Sequence, residues 1–174
     1  WDVVTEKGTI HTEHVVNAGG LWAREVAAMA NVYLPLMPME HQYLITDDIP
    51  EIFNRETEHP HVMDPAGESY LRQEGKGLCI GYYEQPCKPW AINGTPWNFG
   101  HELLPDNIEK ISDSVEFSYK RFPVLNDAGI KSIIHGPFTF APDGNPLVGP
   151  IPGLRNYWSA CAVMAGFSQA GGVG

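Results

Sequence analysis

Residues 69–84, "SYLRQEGKGLCIGYYE", decide how the fold is read. Two runs of strand-forming residues flank Gly75-Lys76-Gly77, and glycine supplies the positive backbone angles that a tight hairpin turn demands. Alternation places Tyr70, Arg72 and Glu74 on one face of the first arm. A β-hairpin is therefore predicted, and with it an antiparallel sheet. Upstream, "LPLMPMEHQYLIT" (34–46) has two prolines followed by alternation, with His41, Tyr43 and Ile45 on one face and Gln42, Leu44 and Thr46 on the other. This reads as a further strand. The polar, acidic, proline-rich residues 47–68 between them read as a long connection containing one helical turn.

Downstream, Pro86 to Gly100 carries Pro, Asn and Gly punctuation around Trp90, Trp97 and Phe99, the pattern of a loop anchored by aromatic rings. Asp106 and Glu109 form a D-x-x-E capping pattern, and Ile108, Ile111, Val115, Tyr119 and Phe122 recur at steps of three and four. A helix over 107–121 follows, ended by Pro123. Beyond it come a strand near Ile130 to His135, a turn at Pro142-Asp143-Gly144, an apolar strand over 157–162 and a flexible tail of small residues. At the other end, a strand over 2–5, a turn at Glu6-Lys7-Gly8 and a second strand ending at Val15-Val16 predict another hairpin. Asn17-Ala18-Gly19-Gly20 then leads into a helix with Trp22, Val26, Met29 and Ala30 on one face. Strands and helices do not alternate steadily, so the class is α+β with a largely antiparallel sheet and a few helices.

Composition narrows the function. With 43% hydrophobic and 18% charged residues, the 174-residue chain is globular and long enough for a real core. Its 21 acidic against 11 basic residues, a net charge of -10, argue against nucleic acid as a partner. No apolar run approaches the roughly 20 residues of a membrane span, and the first residues lack a signal-peptide layout. Cys79, Cys87 and Cys161 are odd in number and lack a C-x-x-C spacing, so they read as buried or free thiols of a reducing compartment.

Two segments could carry chemistry. A strand, a glycine turn and a helix start bring backbone N–H groups to one point, which suits an anion such as a pyrophosphate; an ordinary connection has the same pattern. His41, beside Tyr43 on a strand face, has the ring to act as general acid or base, or as a hydrogen-bonded structural residue. His11 with His14, and His59 with His61, lack the third and fourth ligands of a metal site. No G-x-S-x-G, P-loop or kinase signature is present.

"TEHVVNAGGLWAREVA" (12–27), "MEHQYLITDDIPEI" (39–52), the 69–84 hairpin, "FPVLNDAGIKSIIHGPFTFAPDGNPLVGP" (122–150) and "LRNYWSACAVMAGFSQAGGVG" (154–174) together resemble the dimethylglycine dehydrogenase and sarcosine dehydrogenase family. The resemblance runs in order over almost the whole chain. It implies a D-amino-acid-oxidase-like fold, in which a substrate domain with a largely antiparallel sheet (34–134) is flanked by pieces of an FAD-binding domain (1–33 and 135–174). It implies FAD as cofactor, held by Asn17, Ala18, Gly19 and Trp22 and by Val163, Met164, Ala165, Gly166, Phe167 and Ser168. It also implies that His41 and Tyr70 line the substrate side as catalytic residues. The implied reaction is oxidation of a small N-methyl amino acid by hydride transfer to flavin; Arg72, on Tyr70's face, is a candidate partner for the substrate carboxylate.

The family's G-x-G-x-x-G turn and covalent flavin-attachment histidine are absent, and both would precede Trp1. A folate-binding region, and with it tetrahydrofolate, would follow Gly174. The expectation is thus an internal piece of a longer enzyme of the bacterial cytoplasm or mitochondrial matrix. Its final glycines open a helix that faces the flavin, and the piece alone does not hold flavin tightly. The competing expectation is a catalytically silent relative, such as the regulatory subunit of pyruvate dehydrogenase phosphatase, against which the presence of His41 and Tyr70 speaks.

Overall fold

The computed structural model describes all residues 1–174. Ten strands and four α-helices divide between two compact units, unit 1 comprising 1–39, 89–100 and 138–174, and unit 2 comprising 40–88 and 101–137. The mixed, mainly antiparallel class expected from the sequence is what the chain adopts.

Unit 1 begins with a hairpin of β1 (Asp2–Thr5) and β2 (Gly8–His11), in which Asp2 faces His11. The predicted second arm stops there. Val15 and Val16 belong instead to β3 (Val15–Asn17), which pairs in parallel with β10 (Tyr157–Cys161) through Tyr157↔Val15 and Ser159↔Asn17. β9 (Leu147–Pro150), not anticipated, completes this sheet antiparallel to β10. After a 3-10 turn at Gly20–Trp22, α1 (Ala23–Ala28) follows β3. Its inward face is Ala23 and Ala27, both fully buried, and not the face of Trp22, Val26, Met29 and Ala30. Met29 is three-quarters exposed. Alanine wins because it lets the helix backbone sit close against Leu34, Leu36, Ala141, Cys161 and Ala162. The last helix, α4 (Gly166–Val173), replaces the expected flexible tail and starts four residues before Ala170.

Unit 2 holds most of a five-stranded sheet in the order β5 (Val62–Asp64), β6 (Ser69–Glu74), β7 (Gly77–Tyr82), β4 (Met37–Thr46) and β8 (Ile130–Phe140). The hairpin read at 69–84 forms as β6 and β7, with Tyr70↔Gly81 and Arg72↔Cys79 in register. The polar connection contains the expected helical turn, α2 (Pro50–Phe53), and also strand β5. α3 (Ser112–Arg121) is entered through a 3-10 turn at Ile108–Ile111, and the cap of that turn is Asn107, whose side chain accepts from the Lys110 N–H, not Asp106. Leu44, Leu71, Leu78, Ile80 and Tyr82 from the sheet pack with Ile111 and Leu125, with Val115, Tyr119 and Phe122 at the margin. One sheet face is thereby used for the core. The alternate residues His41, Tyr43, Tyr70 and Arg72 lie on the other.

Candidate active site

Each unit presents one candidate region. In unit 1, the parallel pairing of β3 and β10 brings their carboxyl ends side by side, and each is followed by a turn and a helix. Open α/β sheets bind ligands at such ends, where helix starts leave N–H groups without a partner inside the helix. Asn17 is 2% exposed and shapes the first turn: its Nδ2 donates to Ala23 O at 2.9 Å, and its Oδ1 accepts from the Gly19 N–H at 3.0 Å. The Cys161 thiol donates to Asn17 O at 3.0 Å, tying the two strand ends together. Glycine at 19 fits a tight space, since a Cβ there would stand 3.0 Å from Asn17 Oδ1 and 3.2 Å from Ala23 backbone. Trp22 directs its indole N–H to Pro96 O at 3.0 Å.

On the β10 side, Val163, Met164 and Ala165 form the turn, which Ala162 enters with a positive φ of 53°. Gly166, Phe167 and Ser168 open α4, where Ser168 Oγ donates back to Ala165 O. A Cβ at Gly166 would meet nothing within 4 Å, and Phe167 is wholly exposed.

In unit 2 the site is made of side chains. Tyr43 and Tyr70 both face Gly81 across β7, so a glycine lies between two phenols on neighbouring strands. Tyr70 lies over it: a Cβ at position 81 would fall within the ring. The ring thereby reaches Tyr83, 5.8 Å between centroids, and Tyr83 stacks on His41 at 5.7 Å and 29°. His61 meets Tyr70 edge-on at 5.6 Å. His41 Nδ1 is 3.0 Å from Glu84 Oε2, and Glu84 Oε1 accepts the Gln42 N–H at 3.0 Å. Beside them, Glu40 pairs with Lys88 at 2.8 Å and stands 3.6 Å from His135 Nε2.

Burial, with smaller contributions from Cys79 and Tyr83, pushes the Tyr70 phenol up to about 12. It is therefore a hydrogen-bond donor at any physiological pH. Tyr43 is raised as well, chiefly by burial. Arg72 shares Tyr70's face, but its guanidinium is paired with Glu74 and also donates to Gln73 O. No group of three or more His, Cys, Asp or Glu side chains is placed to hold a metal ion. The three cysteines are free thiols, and no helix is long and apolar enough to cross a membrane.

The structure thus brings His41 and Tyr70 together through Tyr83, and adds Tyr83, Gly81 and Glu84 to the residues anticipated from sequence. Alternation from Gly81 already placed Tyr83 on the same face. Glu84 had no local signal, since its partner lies 43 positions away.

The model of the FAD dependent oxidoreductase family matches residues 1–174. The chain belongs to that family. It is 43% identical to mouse (Mus musculus) mitochondrial dimethylglycine dehydrogenase over all of this chain and 21% of that protein. It is 38% identical to mouse mitochondrial sarcosine dehydrogenase over 99% of this chain and 18% of that one. Similarity also extends to the mouse mitochondrial regulatory subunit of pyruvate dehydrogenase phosphatase, at 29% identity over 99% of this chain and 20% of that protein. Among solved structures, L-proline dehydrogenase from P. horikoshii matches with a TM-score of 0.76 and 30% identity, over 97% of this chain and 42% of that one. This FAD-dependent oxidoreductase chain therefore spans about a fifth of the length of the curated relatives it matches.

Proposed function

We propose that this chain supplies amine-handling and flavin-contacting residues to an enzyme that oxidatively demethylates a small N-methyl amino acid of the dimethylglycine or sarcosine type. One observation carries the reading: His41, held by Glu84, and Tyr70 converge on one sheet face of a chain 43% identical to a dimethylglycine dehydrogenase. The regulatory-subunit reading is less favoured, because identity to that relative is 29% and the chain carries His41 and Tyr70, the residues the dehydrogenase reading needs.

The turn residues of unit 1 fit a dinucleotide cofactor. They offer backbone N–H groups, open space at Gly20 and Gly166, and small side chains beside them. Asn17 shapes the turn from beneath, while Ala18, Gly19 and Trp22, with Val163, Met164, Ala165, Gly166, Phe167 and Ser168, form the approach for FAD. In this reading the portions 1–33 and 135–174 serve the cofactor and 34–134 the substrate. This division by role differs from the two compact units, where 34–39 and 89–100 fold with unit 1 and 135–137 with unit 2. FAD, when bound, supplies the hydride acceptor.

The chain's own residues prepare the amine. A substrate ammonium must lose a proton before its nitrogen lone pair can enter the forming C=N bond, and the His41 imidazole takes that proton. Tyr70, protonated because burial raises it to about 12, orients the substrate by donating a hydrogen bond. Arg72 receives the substrate carboxylate by exchanging it for Glu74. The mitochondrial relatives favour the mitochondrial matrix over a bacterial cytoplasm, and tetrahydrofolate is the one-carbon acceptor if a folate-binding region follows.

The test expresses the complete reading frame that carries this chain and follows flavin absorbance on anaerobic addition of dimethylglycine or sarcosine. Bleaching of the flavin absorbance is expected, because reduction changes the flavin ring. Bound flavin that neither amine reduces ends the dehydrogenase reading.

A further inference from the structure

We infer that Glu84 is a positioning residue for His41, one that fixes which ring nitrogen carries the proton; the inference rests on the dehydrogenase reading above. The Glu84 side chain is 4% exposed. An ionised carboxylate only accepts hydrogen bonds, so its 3.0 Å contact with Nδ1 requires the proton to be there. The imidazole lone pair then resides on Nε2, the nitrogen that takes the proton from the substrate ammonium. In that step the substrate N–H bond breaks, an Nε2–H bond forms, and the electron pair stays on the amine nitrogen. The carboxylate stabilises the imidazolium that results.

Two further features make the arrangement rigid. Glu84 Oε1 is fixed by the N–H of Gln42, the residue next to His41 on β4, so one carboxylate pins two consecutive positions. Tyr83 covers the imidazole at an interplanar angle of 29° and limits rotation of the ring. Glu40, the residue before His41 on β4, holds Lys88 at 2.8 Å and lies 3.6 Å from His135. Lys110 lines the same pocket as Glu84, and the Cys87 thiol is raised by burial first and by Glu84 second.

Glu84→Gln separates positioning from packing. The amide keeps the shape and the acceptor for the Gln42 N–H, but its NH2 donates to Nδ1 and drives the proton to Nε2. Two readouts are taken on the holoenzyme from the complete reading frame. The first is 15N NMR with histidine-selective labelling, with His41 assigned by its loss in His41→Asn. Nδ1–H is expected in the wild type and Nε2–H in Glu84→Gln. The second is the rate of anaerobic flavin reduction by dimethylglycine, expected to fall about 10²-fold in Glu84→Gln. The substrate dissociation constant should stay within about 2-fold.

An Nε2–H tautomer in the wild type, an identical tautomer in both proteins, or an unchanged reduction rate overturns the inference. If Glu84→Gln does not fold, the wild-type tautomer decides. If neither amine reduces the wild-type flavin, the dehydrogenase reading fails by itself, and the tautomer comparison still decides whether Glu84 positions His41.

Discussion

The turn after β3 and the His41–Glu84 pair differ in what they offer a bound molecule. The turn offers backbone: Asn17 is turned inward, Gly19 leaves only tight room for a Cβ, and Gly20 and Gly166 stand open. The pair offers functional groups, with a carboxylate at 3.0 Å from an imidazole and two phenols nearby. A site built of backbone tolerates few changes of size, whereas a site built of side chains tolerates few changes of chemistry. Substitutions in unit 1 should therefore alter how much flavin is held, and substitutions on the unit 2 face should alter how fast held flavin is reduced.

The largest effect is expected from His41→Asn, which removes the proposed acceptor for the ammonium proton. Stopped-flow reduction should slow by about 10²–10⁴-fold while flavin content stays at the wild-type level. Loss of flavin with an unchanged rate would invert the contrast. Next is Gly81→Val, whose side chain would occupy the space of the Tyr70 ring. Overpacking of this kind costs about 3 kcal/mol, read as a lower urea midpoint, and the displaced phenol should slow reduction without reducing flavin content.

How far the sequence foretold these regions depends on how local each cause is. The β6–β7 hairpin was legible because its alternation and its glycine turn lie within 16 consecutive residues. The β3–β10 pairing was not, because what converts Val15 and Val16 from a hairpin arm to a parallel strand is a partner near the other end of the chain. On α1, hydrophobicity pointed to the larger side chains, yet close packing selected Ala23 and Ala27. Asp106 and Asn107 are equally good capping residues, and only the backbone geometry at the turn chose between them. The site divides in the same way: His41 and Tyr70 sat in recognisable strands, while Glu84 became visible only when the sheet placed it against His41.

Asn17→Ala probes unit 1. It removes both turn hydrogen bonds and leaves the Gly19 N–H and Ala23 carbonyl to find other partners, at a cost of about 2 kcal/mol. Flavin content should fall, and the fraction that retains flavin should be reduced at the wild-type rate. Unaltered flavin content would detach this turn from the cofactor.

The smallest effect is expected at alkaline pH. Burial raises the Tyr70 and Tyr82 phenols to about 12, from an ordinary value of 10.0 that applies to the unfolded chain. Above 10 the unfolded state loses these protons first, so the associated stability is fully present below that pH and is lost as pH rises through 12. Urea midpoints measured from pH 9 to 11.5 should decline, and Tyr70→Phe should make the decline shallower. An equal slope in both proteins would remove Tyr70 as a cause.

The Cys161 thiol reaches Asn17 O across 144 positions of sequence. At a synthesis rate of roughly 5–20 residues per second, β3 leaves the ribosome about 7–30 s before the strand it must join. The β6–β7 hairpin of unit 2, whose arms are joined by a turn of two residues, has a short loop to close and is expected to form in that interval. Meanwhile the Val15–Asn17 backbone is an edge waiting for a late partner, and the kinetic vulnerability of the chain during translation is concentrated there.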